Sequence, residues 1–163
     1  MKAYNKSGEN IFAKAQKVPS ELLTLTYGVF VSKLIRDNQH NVDEVNSKLD
    51  KMGFNMGTRM VDEFFAKSAP GRQVCKSFRE TVEVIAKEAF KMFLGTTCDV
   101  ASVPPEEDSG LEQWALILKE NPLADFVVLP PQYQNTLWYS NLLCGIIRGG
   151  LDMLNMKVNC FFT

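Results

Sequence analysis

A mixed fold of the α/β (α+β) class is predicted, with long amphipathic helices and a small antiparallel strand pair. Ser77 and Glu80 have the S-x-x-E spacing of a capping box and open an apolar stripe. Val42, Val45, Leu49, Met52, Met56, Met60 and Phe64 form a longer stripe at helical steps. Beyond Gly95 the composition turns β-branched, and Trp114–Leu118 can pair back on Asp99–Val103.

The first 19 residues show little periodicity and are expected to be a flexible arm; residues 20–163 are expected to form a single domain. Ser20 after Pro19 is the predicted N-cap of a helix carrying Leu23, Tyr27, Phe30, Val31 and Leu34 and stopping near Arg36. After the polar break Asp37–Asn41 a second helix starts, with Glu44 at capping-box distance, and runs to about Lys67. Gly53 and Gly57 lie four apart within it, and a helical glycine costs about 1 kcal/mol relative to alanine. They therefore imply close approach of another element or a ligand, and tight helix packing is the plainer reading. The methionines at 52, 56 and 60 suit an adaptable core or a plastic binding wall.

Ser68–Gly71 breaks the chain, and the capped helix begins at Phe78. Phe78, Val82, Ile85, Ala89 and Phe93 build its apolar face, widened by Ala86, Phe90 and Leu94, and Gly95 is the residue that ends it. Pro104, Pro105 and the acidic run Glu106–Asp108 make a loop between the strands. Phe126–Val128 is expected to be extended. A last helix is predicted over roughly Thr136–Met156, with Gly145 and Gly149 allowing close packing and Arg148 pairing with Asp152. Lys157–Thr163 alternates as a strand would.

A net charge of −1 gives no general attraction to nucleic acid; Lys2, Lys6, Lys14 and Lys17 make only a mild basic patch. Cys75, Cys98, Cys144 and Cys160 lack CxxC spacing and His40 is the single histidine, so no metal framework is written here. The spacing favours reduced cytosolic thiols over disulfides. No uninterrupted apolar run reaches about 18 residues, so a membrane would be met peripherally. Cys75 sits two residues outside the helix cap, close in sequence to Arg72, Lys76 and Arg79, a setting that favours the thiolate. His40 lies in a polar linker, which gives no cysteine–histidine pair for hydrolysis. Without further information Cys75 reads as an ordinary loop thiol.

Leu49–Ser68 (LDKMGFNMGTRMVDEFFAKS), Phe78–Gly95 (FRETVEVIAKEAFKMFLG) and Trp138–Leu154 (WYSNLLCGIIRGGLDML) closely resemble the Bet-three family, subunit three of the TRAPP vesicle-tethering complex. Leu23–Gly28 (LTLTYG) and Asn121–Pro130 (NPLADFVVLP) fit the same family. The resemblance implies long helices packed on a small twisted antiparallel β-sheet with an interior hydrophobic channel. It implies a core subunit in vesicle transport from endoplasmic reticulum to Golgi, cytoplasmic and peripheral on cis-Golgi and endoplasmic reticulum membranes. The implied partners are other TRAPP subunits, a homodimer or paralogous heterodimer joined by the first helices, and a Rab-family small GTPase activated by the whole complex; nucleic acid is not among them.

The resemblance also implies palmitate in thioester linkage on Cys75, and no metal. Candidate channel-lining residues are Gly53, Met56, Gly57, Val82, Ala86, Ala89 and Phe90. A buried sixteen-carbon chain would contribute on the order of 10 kcal/mol. Compared with the family, the loop Arg72–Ser77 is longer, and the family pattern continues beyond Thr163 with a strand pair and a tail. The strand pair is thus expected to be incomplete here, and nucleotide exchange is not assigned to this chain alone. No enzymatic activity is expected beyond self-acylation at Cys75. The alternatives are a stand-alone acyl-binding or ligand-sensing domain and, more remotely, an enzyme using Cys75 as a transient acyl carrier.

Overall fold

The computed structural model describes residues 2–68, 75–104 and 111–162, side chains from Tyr4 onward. The chain divides into two compact units, residues 1–17 with 67–121, and residues 18–66 with 122–163.

In the first unit, α1 (Lys2–Lys14) lies against a helix made of α4 (Phe78–Val84), a π turn (Ile85–Ala89) and α5 (Phe90–Leu94). The segment expected to be a flexible arm is therefore helical from residue 2 to 14. Its covered positions are Tyr4, Ser7, Gly8, Ile11 and Phe12, a helical stripe whose middle members are not hydrophobic. Gly8 lets the backbones meet: a Cβ there would lie 2.6 Å from the Lys87 carbonyl oxygen. The Phe12 ring rests on Gly95 and carries the Lys17 and Lys91 ammonium groups at 4.6 and 5.2 Å.

The capped helix starts at Phe78 as predicted, and Gly95 ends it in the left-handed region at φ 73°. The π turn was not foreseen. It sets Phe90 N on Ile85 O, and the Ala86 carbonyl accepts from Cys98 N at 3.0 Å, tying the start of the sheet to the helix. The strands β1 (Asp99–Val103) and β2 (Gln113–Ile117) pair antiparallel, with Asp99 opposite Ile117 and Ser102 opposite Trp114. The loop residues Pro105–Asp108 fall outside the described residues.

The second unit holds α2 (Ser20–Asp37), α3 (Val42–Lys67, whose final residue belongs to the first unit) and α6 (Asn141–Asp152). Ser20 is the first helical residue of α2 rather than its cap. Pro19, at φ −55° and ψ 134°, occupies the cap position and offers no side-chain bond, while the Ser20 hydroxyl turns to Glu21. The start of α3 follows the prediction, with Glu44 N donating to Asn41 Oδ1 at 3.2 Å.

α3 and α6 cross on their glycines. A Cβ on Gly53 would overlap the Leu142 carbonyl oxygen, and one on Gly57 that of Ile146; from the other side, Gly145 meets Asp50 O and Gly149 meets Phe54 O. Tight helix packing is thus the role these glycines perform. Val31, Val45 and Leu49 are fully enclosed nearby, and Tyr27 donates its hydroxyl to Tyr139 O at 2.5 Å.

Further expectations fail in this unit. α6 begins at Asn141, not near Thr136, because residues 136–140 are held by Asn46 instead of by a helical ladder. Asn46 Nδ2 donates to Thr136 O, Trp138 N donates to Asn46 Oδ1, and Asn141 Nδ2 donates to Asn46 O, each at 2.9 Å. Arg148 pairs with Asp50 and lies over the Phe54 ring at 4.9 Å, rather than pairing with Asp152. Residues 126–128 form no strand, since Phe126 sits at φ 62°, which a strand does not admit; residues 157–162, expected as an extended segment with an incomplete strand pair, have no ladder partner among the described residues.

Candidate functional site

Cys75 is half-buried and lies immediately ahead of α4. Within the loop Arg72–Ser77, residues 72–74 are outside the described residues. The hydroxyl of Ser77 accepts from Glu80 N at 3.2 Å, the first half of the expected capping box. The second half differs: the Glu80 carboxylate accepts from Lys76 N at 2.7 Å, one residue before the N-cap Ser77, which is extended at φ −145° and ψ 159°. Its other oxygen accepts from Tyr4 OH at 2.7 Å. Arg79, expected beside the thiol, is engaged by Glu83 at 3.4 Å and stacks over Trp114 at 5.7 Å.

The channel candidates fall in both units. Val82, Ala86 and Phe90 are buried along the helix behind Cys75, with Ala89 half-buried beside them. Gly53 and Gly57 belong to the second unit, where α6 backbone fills the space over them, and Met56 there is 44 % exposed. An open groove of about 450 Å³ in that unit is lined by Asp43, Asn46, Asp50, Trp138, Arg148 and Phe161 among others, and contains none of the candidates. Among the described residues no cluster of His, Cys, Asp or Glu is arranged to hold a metal ion. His40, expected in solvent, stacks on Tyr133 and shares a hydrogen bond with its hydroxyl.

The other cysteines differ chemically from Cys75. Burial pushes the Cys98 thiol up to about 12, outweighing the nearby Lys87. The neighbouring Cys160, together with burial, pushes the Cys144 thiol up, while Cys144 in turn holds Cys160 below the ordinary thiol value. The thiolate is the nucleophile, so burial disfavours acyl chemistry at Cys98 and Cys144. Tyr4 and the second contact of Glu80 were missed from sequence; Glu80 itself was visible through the capping box.

A capped helix behind a half-buried thiol, a π turn and a small antiparallel sheet make up one unit, and glycine-packed helices the other. Residues 23–163 match the family described as transport protein particle (TRAPP) component, and the chain belongs to that family. Within it, the similarity is to subunit 3, also called Bet3. The chain is 49 % identical over 162 residues to trafficking protein particle complex subunit 3 of Dictyostelium discoideum, covering 99 % of this chain and 83 % of that one. It is 41 % identical over 157 residues to subunit BET3 of Saccharomyces cerevisiae, covering 96 % and 78 %. A crystal structure of a trafficking protein particle complex subunit 3 from Naegleria fowleri, covalently bound to palmitic acid, superposes with a TM-score of 0.74. It is 43 % identical in sequence, and the match covers 86 % of this chain and 82 % of that one. The helical fold with a small antiparallel sheet is therefore the one the sequence predicted.

Proposed function

We propose that this TRAPP component is a non-enzymatic core subunit in transport from endoplasmic reticulum to Golgi, carrying palmitate as a thioester on Cys75. The observation that carries the acylation reading is the contrast among the thiols. Cys75 is half-buried at the head of a capped helix; Cys98 and Cys144 are enclosed in the interior, and Cys160, half-buried and held below the ordinary thiol value, has no helix start beside it among the described residues. The palmitate on the Naegleria relative supports the same ligand. In the reaction the Cys75 sulfur attacks the carbonyl of palmitoyl-CoA. A new carbon–sulfur bond forms as the bond to CoA breaks, and the CoA thiol leaves with the proton that Cys75 gave up. Val82, Ala86, Ala89 and Phe90 form the wall along which the acyl chain runs.

The subunit acts as a homodimer or a paralogous heterodimer, within a complex that activates a Rab-family GTPase and sits peripherally on cis-Golgi and endoplasmic reticulum membranes. The dimer is supported by α2, where Leu22, Leu25 and Val29 are 56, 64 and 69 % exposed along one face. Intact-mass analysis tests the acylation. One hydroxylamine-labile palmitoyl group is expected on Cys75 and none after Cys75→Ser, which should still fold. An adduct on Cys98, Cys144 or Cys160 would refute the assignment, and co-purification without other TRAPP subunits would favour a stand-alone acyl-binding domain.

A further inference from the structure

A capping box uses one carboxylate oxygen of its glutamate, yet both oxygens of Glu80 are engaged. Oε2 takes Lys76 N, the amide directly after Cys75, and Oε1 takes Tyr4 OH from α1, a residue 76 positions away. Glu80 N is in turn held by Ser77 Oγ. Glu80 therefore joins the amide next to the nucleophile and the N-terminal helix through its carboxylate, and the helix cap through its backbone amide. α1 is docked by a narrow stripe in which Ser7 and Gly8 stand between Tyr4 and the pair Ile11 and Phe12. Losing Tyr4 would remove the tie between the Glu80 carboxylate and α1, and the carboxylate that takes the Lys76 amide would be held less firmly.

We propose that Glu80 is a positioning residue for Cys75, and that α1, through Tyr4, is a clasp regulating acyl transfer to and from that thiol. This rests on the acylation of Cys75 proposed above. With the clasp closed, the thiol is held for attack on the palmitoyl-CoA carbonyl; with α1 released, Cys75 keeps its chemistry and loses its aim.

The test compares two rates on the full chain after hydroxylamine removal of any acyl group. One is acylation of Cys75 by palmitoyl-CoA, followed by intact mass; the other is alkylation of Cys75 by N-ethylmaleimide, which needs exposure but little orientation. Glu80→Gln should slow acylation by about tenfold and Tyr4→Phe by a smaller factor, the worth of hydrogen bonds to a charged partner. Alkylation should stay level or rise in both. Tyr4→Phe removes one hydroxyl and leaves the capping box intact, so it reports even where Glu80→Gln loosens the helix. Unchanged acylation, or acylation and alkylation falling together, overturns the clasp while leaving acylation in place. A wild-type chain that takes no palmitate on Cys75 overturns both readings.

Discussion

The α3–α6 crossing and the helix behind Cys75 both draw on small residues, glycines at the first and alanines at the second. At the crossing, Gly53 and Gly57 meet carbonyl oxygens of α6, so the space a side chain would need is taken by backbone. Along the Cys75 helix the small residues are alanines, Ala86 enclosed and Ala89 half-buried, beside a π turn that widens the helix. A small residue spaced by four is thus a signal of close approach, and only the identity of its neighbour says whether that neighbour is a helix.

The difference is sharpest in the response to an added methyl group. On an exposed helix Gly→Ala stabilises by about 1 kcal/mol. Gly57→Ala should instead destabilise by about 3 kcal/mol, since its Cβ would meet the backbone at Ile146 and Gly150. Urea unfolding measures it, and a neutral result would break the claim that the crossing is filled. At the other helix the vulnerable point is its start. Ser77→Ala removes the acceptor for Glu80 N and should cost about 1 kcal/mol in the same measurement.

The smallest effect concerns Asp99 at the head of β1. Hydrogen bonds from Lys119 and Lys87, at 2.7 and 3.2 Å, hold its carboxyl below the usual carboxylate range. A depressed folded value contributes stability above the unfolded value and loses it as pH falls through the folded one. The loss therefore lies below about pH 4, the ordinary carboxylate value. Asp99→Asn should flatten the acid side of a melting-temperature profile slightly and leave Gly57→Ala unaffected. Because Asp99 is exposed, a steep change would contradict this account.

What could be read from sequence follows the range of the forces involved. The Ser77 cap, the Asn41 start of α3, the Gly95 stop and the pairing of 99–103 with a strand expected over 114–118 and found over 113–117 depend on near neighbours and were legible. α1 was not, because its contact stripe is built on Ser7 and Gly8, which no hydrophobic pattern marks. The late start of α6 was hidden for another reason. The amide of Trp138 is satisfied by Asn46 Oδ1, a side chain 92 positions away, so local periodicity mistook a side-chain-bonded loop for helix. At the candidate site the cysteine and the glutamate were visible, and the tyrosine that joins them to α1 was not.

The enclosed thiols have a consequence for observing the molecule at work. Cys98 is 1 % exposed in one unit and Cys144 4 % in the other, so neither reacts with a labelling reagent until its surroundings open. Each is a native clock for the excursions of its own unit, readable by mass without adding a probe. The two clocks, timed against denaturant, report whether the units breathe on one rhythm or on two.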